Sequence, residues 1–334
     1  KETYVSCTGR RLRSVPRGIP VGSTRLNLTG NLFEVLGPQT FPCLDKLKLL
    51  DLSRNRIRTI KIGSFKNTFN LTTLYLNHNN ISSIPTGALD DLVSLEVLGL
   101  AFTRLSNLSN VGFLTPRTLQ QLSFIHGHIS ELKPRAFRGF NHLEILDFRH
   151  NKLATLSEYV FDGLENLTYL KLSHNYIEKI DNTTFLGLSR LEILYLENNH
   201  LLLDLSYNNF DTMTSLPFEN LTNLTSLYLS FNRISTIPDS LFKSVPNLRK
   251  LRLNSNRKLG KLPEKGLGFL RNLERLNLED NPLQCTCEEE WFYDWVVSNQ
   301  TKTLFYNLSN YGCVAPESLV HKTILDFDAE AQGC

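Results

Sequence analysis

At 334 residues, with 41% hydrophobic and 21% charged side chains, the chain has the composition of an ordinary soluble protein of one large domain or two smaller ones. Its net charge of +3 is too small to draw in nucleic acid or a membrane by bulk electrostatics, so charge-driven binding must come from local patches. No run reaches the ~18 apolar residues that span a bilayer, and the opening KETYVSC does not form a signal peptide. The chain ends on Cys334, so a leader, a stalk or a membrane anchor could lie outside this stretch.

Residues 1–22 read as an N-terminal cap, with Tyr4-Val5-Ser6-Cys7 followed by RRLRSVPRGIP. From residue 23 to 283 one pattern takes over. RLNLTGNLF already carries Leu26, Leu28 and Asn31, and full copies then start at Leu47, Leu71, Leu95, Leu119, Leu143, Leu167 and Leu191, each 24 residues after the last. The next start at Leu224, Leu248 and Leu273, at intervals of 33, 24 and 25, which makes eleven units with the partial first one. Each fits LxxLxLxxNxL, the signature of a leucine-rich repeat. The long interval predicts an enlarged loop near 202–218, in LLLDLSYNNFDTMTSLPF.

Within LxxLxL the apolar residues alternate with polar ones, so a short strand buries one face. Ile60, Ile84, Leu108, Leu132, Leu156 and Ile180 supply a second wall, and a column from Phe41 through Phe65, Phe113, Phe137, Phe161, Phe185, Phe218 and Phe242 supplies a third. No coil buries these faces alone, and stacking makes one core. An asparagine column (Asn31, Asn55, Asn79, Asn151, Asn175, Asn199, Asn232, Asn256, Asn281) can satisfy buried backbone groups between coils. Thr103 and Gly127 interrupt it and predict a local irregularity. The fold class is an α/β leucine-rich-repeat solenoid, a horseshoe with a parallel concave β-sheet and disulfide-stapled caps at both ends.

Residues 284–334 read as a C-terminal cysteine-rich cap. EEE at 288–290 suits a helix start, and Trp291, Phe292 and Trp295 can cover the last coil. Six cysteines sit only at the ends, at Cys7, Cys43, Cys285, Cys287, Cys313 and Cys334, which suggests disulfides in an oxidising compartment. Zinc is the alternative for the C-terminal four; the expected pairing is Cys285–Cys313 and Cys287–Cys334. Ten Asn-x-Ser/Thr sequons also suit a secreted glycoprotein: Asn27 beside the candidate glycan sites Asn70, Asn80, Asn107, Asn166, Asn182, Asn220, Asn223, Asn299 and Asn307.

VSCTGRRLRSVPRGIPVGSTRLNLTGN resembles the N-terminal cap and first repeat of extracellular leucine-rich-repeat receptors, especially Toll-like receptor ectodomains and variable lymphocyte receptors. NPLQCTC, WFYDWV and two later cysteines are similar to their C-terminal cap. Two features depart from those families. Only Cys7 occupies the N-cap cysteine motif, with Cys43 or an upstream residue as its partner, and eleven repeats sit nearer the lymphocyte receptors than most Toll-like ectodomains. The resemblance implies an innate-immune receptor that is extracellular, secreted or at the cell surface, with microbial envelope components as ligands.

In such solenoids the variable positions of the repeat face the concave surface. The position before the asparagine reads Arg54, His78, Phe102, His126, His150, His174, Asn198, Phe231, Ser255 and Asp280, and the position after it Arg56, Asn80, Arg104, His128, Lys152, Tyr176, His200, Arg233 and Arg257. Six of the eight histidines fall in these two rows. Imidazoles and guanidiniums in a ladder can receive phosphate or carboxylate, and histidine repulsion relieved by a polyanion would tighten binding below about pH 6.5. Tyr195, Tyr228, Lys171 and Arg252 add exposed aromatic and cationic surface suited to sugars or a protein partner. The candidate ligand-binding residues are therefore His126, His128, His150, Lys152, Lys171, His174, Tyr195, His200, Tyr228, Arg233, Arg252 and Arg257. Anionic ligands such as lipopolysaccharide or lipoteichoic acid suit them best; an adhesion or growth-factor-binding module is the alternative. No nucleophile motif, phosphate loop or metal helix occurs, so neither an enzyme nor a cofactor is expected. An open strand edge near Tyr4 to Ser6 predicts a homodimer through the N-terminal cap.

Overall fold

The computed structural model describes residues 3–41, 44–106, 108, 118–201, 218, 221–297, 305, 310–320 and 322–326. The first leucine of each LxL becomes the inward-pointing middle residue of a three-residue strand, as Leu50 does in Leu49–Asp51. Eleven such strands appear, one per repeat, preceded by the cap strand Tyr4–Ser6. The chain divides into two compact units, Lys1–Lys171 and Leu172–Cys334.

In the first unit eight parallel strands run from Tyr4–Ser6 to Tyr169–Lys171. Leucines meet leucines across them, Leu26 against Leu50, Leu50 against Leu74, and Leu74 against Leu98. The second unit repeats the arrangement with Ile193–Tyr195, Ser226–Tyr228, Lys250–Arg252 and Arg275–Asn277, through Leu194, Leu227, Leu251 and Leu276. These leucines are fully or almost fully buried, each contributing about 1.5–3 kcal/mol by leaving water. The phenylalanine column stacks as expected, with ring centroids 5.9 Å apart for Phe41–Phe65, and 6.1 Å for both Phe137–Phe161 and Phe185–Phe218. Phe113 and the insertion at 202–217 lie outside the described residues.

The helical half of the α/β expectation is slight. Among the described residues the α-helices are Glu264–Gly268 and Glu290–Val297. A 24-residue coil must turn back quickly, and left-handed glycines such as Gly163 and Gly187 (φ +90° and +89°) stop any helix on the return side.

The asparagine column works as a hydrogen-bond ladder. Asn79 Nδ2 donates to the carbonyls of Leu52 at 3.0 Å and Leu76 at 2.9 Å, while its Oδ1 accepts from Ile57 N at 2.9 Å. One side chain thus satisfies three buried backbone groups in two coils. The irregularity expected at Thr103 and Gly127 is absent from the strands, where Leu98, Leu122 and Leu146 stay in register. Backbone bonds carry the register there, with Phe102 N donating to Ile125 O at 2.7 Å and His126 N to Arg149 O at 3.0 Å. Thr103 keeps one bond, to Leu100 O at 2.9 Å. At Gly127 the side-chain space belongs to Asn151, whose Oδ1 lies 2.6 Å from where a Cβ would stand.

A second, exposed asparagine stands just before five of the repeat starts, at Asn70, Asn166, Asn223, Asn247 and Asn272. Asn70 donates to Asp45 O at 2.7 Å and Asn223 to Ser189 O at 2.7 Å, and Asn166 bonds Asn141 O in the same way. Asn247 and Asn272, which are not sequons, do likewise toward Thr222 and Pro246. The following threonines Thr72, Thr168 and Thr225 also bond the preceding coil. At these three sites NLT is repeat architecture, so the number of sequons is weaker evidence for glycosylation than it looked. Asn107, Asn220, Asn299 and Asn307 lie outside the described residues.

The two ends differ. At the first, Cys7 is a free thiol, which corrects the expected staple; Cys43 lies outside the described residues. Tyr4–Ser6 pairs Val5 with Leu26, and one step on Cys7 N bonds Asn27 O, so Cys7 stands half-buried at an inward leucine position. At the other end Cys285 and Cys313 form the expected disulfide. Cys287 is also disulfide-bonded, and Cys334 lies outside the described residues. The helix Glu290–Val297 lays Phe292 and Trp295 on Phe305, which in turn meets Tyr311 edge-on at 5.4 Å. Buried Tyr311 donates from its hydroxyl to Leu276 O at 3.2 Å and accepts from Leu278 N at 3.1 Å. Burial pushes its phenol well above the ordinary tyrosine value.

Candidate ligand-binding face

The residue before each column asparagine does not lie on a strand. Arg54, His78, Phe102, His126 and His150 in the first unit have φ between +54° and +57°. His174, Asn198, Phe231, Ser255 and Asp280 in the second lie between +54° and +59°. Phe102 and His126 adopt it although Thr103 and Gly127 follow them, so the turn belongs to the repeat backbone. Where an asparagine follows, its amide braces that turn, as Asn79 does by bonding the carbonyls of Leu76 and Asn77 behind it. Such a conformation costs an L-residue roughly 1–2 kcal/mol, with histidine and asparagine among the more tolerant types. The expected strand-face ladder is thus a row along the turns that follow the strands.

In the first unit this row is a continuous stack of rings. Centroids are 4.1 Å apart for His78–Phe102, 4.4 Å for Phe102–His126 and 4.0 Å for His126–His150, with planes within 19° of parallel. Phe102, 42% exposed, is the rung that joins His78 to the other two imidazoles. Burial, then the charges of Arg54 and His126, hold the His78 imidazole below its ordinary value. His128 and Lys152 stand exposed one position past the column asparagine, and Lys171 is half-buried at the end of strand Tyr169–Lys171.

The second unit arranges its residues in two groups. On the strands, Tyr195 and Tyr228 stack at 4.8 Å with planes 4° apart, and the Arg252 guanidinium lies 5.1 Å over the Tyr228 ring. Along the turns the ring row breaks. His174 Nε2 comes within 3.5 Å of Asn198 Nδ2, Phe231 is 54% exposed, and Ser255 brings no ring, its hydroxyl meeting Asp280 Oδ2 at 3.4 Å. A cleft of about 630 Å³ opens beside Phe231 and Ser255, walled by Asn198, His200, Arg233, Arg257 and Lys258. His200 Nδ1 lies 3.9 Å from Glu178 and tilts against Tyr176. Among the described residues Arg233, Arg257 and Lys258 form no ion pair.

Eight of the twelve expected site residues therefore form three separate groups, and His128, Lys152 and Lys171 stand outside them, while His174 meets Asn198. His126 and His150 join a stack, Tyr195, Tyr228 and Arg252 form a second, and His200, Arg233 and Arg257 share the cleft. Phe102, Phe231 and Lys258 belong to these groups without having been expected. A phenylalanine in a repeat protein reads as core by default; the signal was its place in a row that is otherwise polar.

Leucine rich repeat sequences match the chain in seven overlapping segments between residues 24 and 283. The chain belongs to the leucine-rich-repeat family. Over 64 residues it is 39% identical to Leucine-rich repeat-containing protein 3 of Danio rerio, a match covering 19% of this chain and 24% of that protein. Among solved structures it is similar to the protein of a TLR13–ssRNA13 complex, with a TM-score of 0.61 and 23% identity over 93% of this chain and 54% of that one. It is likewise similar to a chain in an octameric complex of Latrophilin 3, Unc5D and the leucine-rich repeats of FLRT2, with a TM-score of 0.67 and 23% identity over 96% and 93% of the two chains. At these identities the likeness is one of fold. The chain thus spans about a quarter of the curated relative and about half of the first of these two structures.

Proposed function

We propose that this repeat protein is the extracellular, non-enzymatic ligand-binding part of an innate-immune receptor, secreted or at the cell surface, and that it recognises anionic microbial envelope polymers. The observation that carries this reading is the cationic group Arg233, Arg257 and Lys258, unpaired among the described residues, around an exposed aromatic face. Guanidiniums without carboxylate partners keep their full capacity for phosphate or carboxylate oxygens. The disulfide at Cys285–Cys313 suits an oxidising compartment, and no described helix is long and apolar enough to cross a membrane. In the first unit an anion beside His78 would offset the repulsion from Arg54 and His126, so binding there takes up a proton and strengthens as pH falls. Immobilised chain should capture lipopolysaccharide or lipoteichoic acid, and Arg233→Ala with Arg257→Ala should cut capture at least tenfold. Undiminished capture by the double variant would sink the reading.

Adhesion is the second reading, favoured by a specific feature: the exposed rings Phe231 and Tyr176 are hot-spot material for a protein partner. The similar FLRT2 repeats are named in a complex with other proteins. Saturable binding to a host ectodomain with none to microbial polymers would select it. The outer edge of Tyr4–Ser6, the first strand of its sheet, could accept a second copy, and light scattering with and without residues 1–6 decides that point.

A further inference from the structure

The break in the ring row of the second unit has the shape of a missing rung. In the first unit every turn from His78 to His150 places a ring 4.0–4.4 Å from the next. In the second unit Phe231 supplies such a ring, but the following turn carries Ser255 at the same left-handed geometry, φ +59° against +55°. The preceding turn carries Asn198, so neither face of Phe231 has the ring neighbour that the row elsewhere provides, and Asn198, Phe231 and Ser255 together line the cleft of about 630 Å³. What surrounds the vacancy is chemically specific. Arg233, Arg257 and Lys258 bring three cations to its wall, and no carboxylate lines it among the described residues. Asn198 and Ser255 bring neutral groups that donate and accept hydrogen bonds.

We propose that this cleft is a binding site for a phosphorylated or sulfated pyranose, whose ring takes the vacant rung on Phe231 while its anionic group meets Arg233, Arg257 and Lys258. The apolar C–H face of a pyranose packs on an aromatic ring, and its hydroxyls need partners of the kind Asn198 and Ser255 offer. A phosphate or sulfate ester is the anion that matches forked guanidinium donors, with the lysine as a third point charge. The inference rests on the proposed recognition of anionic envelope polymers and deepens it by naming the unit recognised. It predicts that the sugar and the charge are read together, since the ring platform and the cations belong to one cavity.

The experiment is calorimetric titration of the whole chain with glucose 6-phosphate, glucose, inorganic phosphate and adenosine monophosphate, in wild type and three variants. Glucose 6-phosphate should bind at least tenfold more tightly than either glucose or phosphate. Ser255→His should restore the missing ring; histidine already occupies this left-handed turn at His78, His126, His150 and His174, so the variant should fold. It should weaken glucose 6-phosphate at least tenfold while phosphate binding persists. Phe231→Ala should lose the preference for the sugar ester over phosphate, and Arg233→Ala with Arg257→Ala should lose both. Unchanged glucose 6-phosphate binding in Ser255→His, or equal affinity for phosphate alone, overturns the proposal. Tighter binding of adenosine monophosphate overturns its sugar class. Capture of lipopolysaccharide by a chain that ignores glucose 6-phosphate would refute this site alone, whereas sugar-phosphate binding without any polymer capture would refute the broader reading.

Discussion

The two units use one repeat to opposite ends. In the first, the turn row is closed by stacked rings, His78 through His150, and Cys7 is a free, half-buried thiol. In the second, rings are missing on both sides of Phe231, at Asn198 and Ser255, a cationic cleft opens, and the end is held by a disulfide and an aromatic cluster. The backbone is the same in both, down to φ values within a few degrees. The difference teaches that a single position, the residue before the column asparagine, decides whether a coil presents a filled edge or a cavity.

The contrast between the two ends should give the largest effect. Replacing Cys285 and Cys313 together by alanine opens a loop of 28 residues and should cost roughly 3–4 kcal/mol, seen as a fall in Tm by calorimetry. Cys7→Val should change stability by less than about 1 kcal/mol, because a similar apolar group replaces the thiol in the same inward position. Equal losses in the two experiments would erase the distinction.

Next comes Tyr311→Phe, which strands Leu278 N and should cost about 1–3 kcal/mol. The same residue gives a pH dependence. Its folded phenol sits above the ordinary value of 10.0, so its contribution is full below that pH and is lost as pH rises, and the variant should lack this alkaline slope in denaturant titrations. In the first unit, Phe102→Ala removes two ring contacts of about 0.5–1.5 kcal/mol each and should open a gap like that beside Phe231. A crystal structure of that variant with the row closed over the gap would count against the single-position account. The smallest effect concerns His78. Its folded value lies below 6.5, so stability is present above that pH and declines as pH falls through it; His78→Phe should flatten the decline between pH 7.5 and 5.5.

Most of the fold was legible because the repeat is periodic. Leucine, phenylalanine and asparagine columns recur every 24 residues, and each column has one physical job that stacking makes visible. The role of Cys7 was not legible from cysteine counting, since only pairing of Val5 with Leu26 reveals that Cys7 stands where a leucine belongs. The site was half legible. Row membership marked His126, His150, Arg233 and Arg257, but nothing in LSHNYI or FRHN says that the residue before the asparagine position turns left-handed. That is a property of the repeat backbone in three dimensions, kept at Phe102 and His126 even where Thr103 and Gly127 replace the asparagine. The cleft was invisible for a simpler reason. It is defined by Ser255 failing to bring a ring, and sequence patterns register what is present.

The central claim is that the unpaired cations of the second unit recognise an anionic envelope polymer. Its most direct test is capture of lipoteichoic acid and lipopolysaccharide at pH 7.5 and 5.5 by the wild-type chain and by Arg233→Ala with Arg257→Ala. The account predicts saturable capture, stronger at pH 5.5, that falls at least tenfold in the double variant. Capture that is the same in both proteins, or no capture beside saturable binding to a host ectodomain, would contradict it.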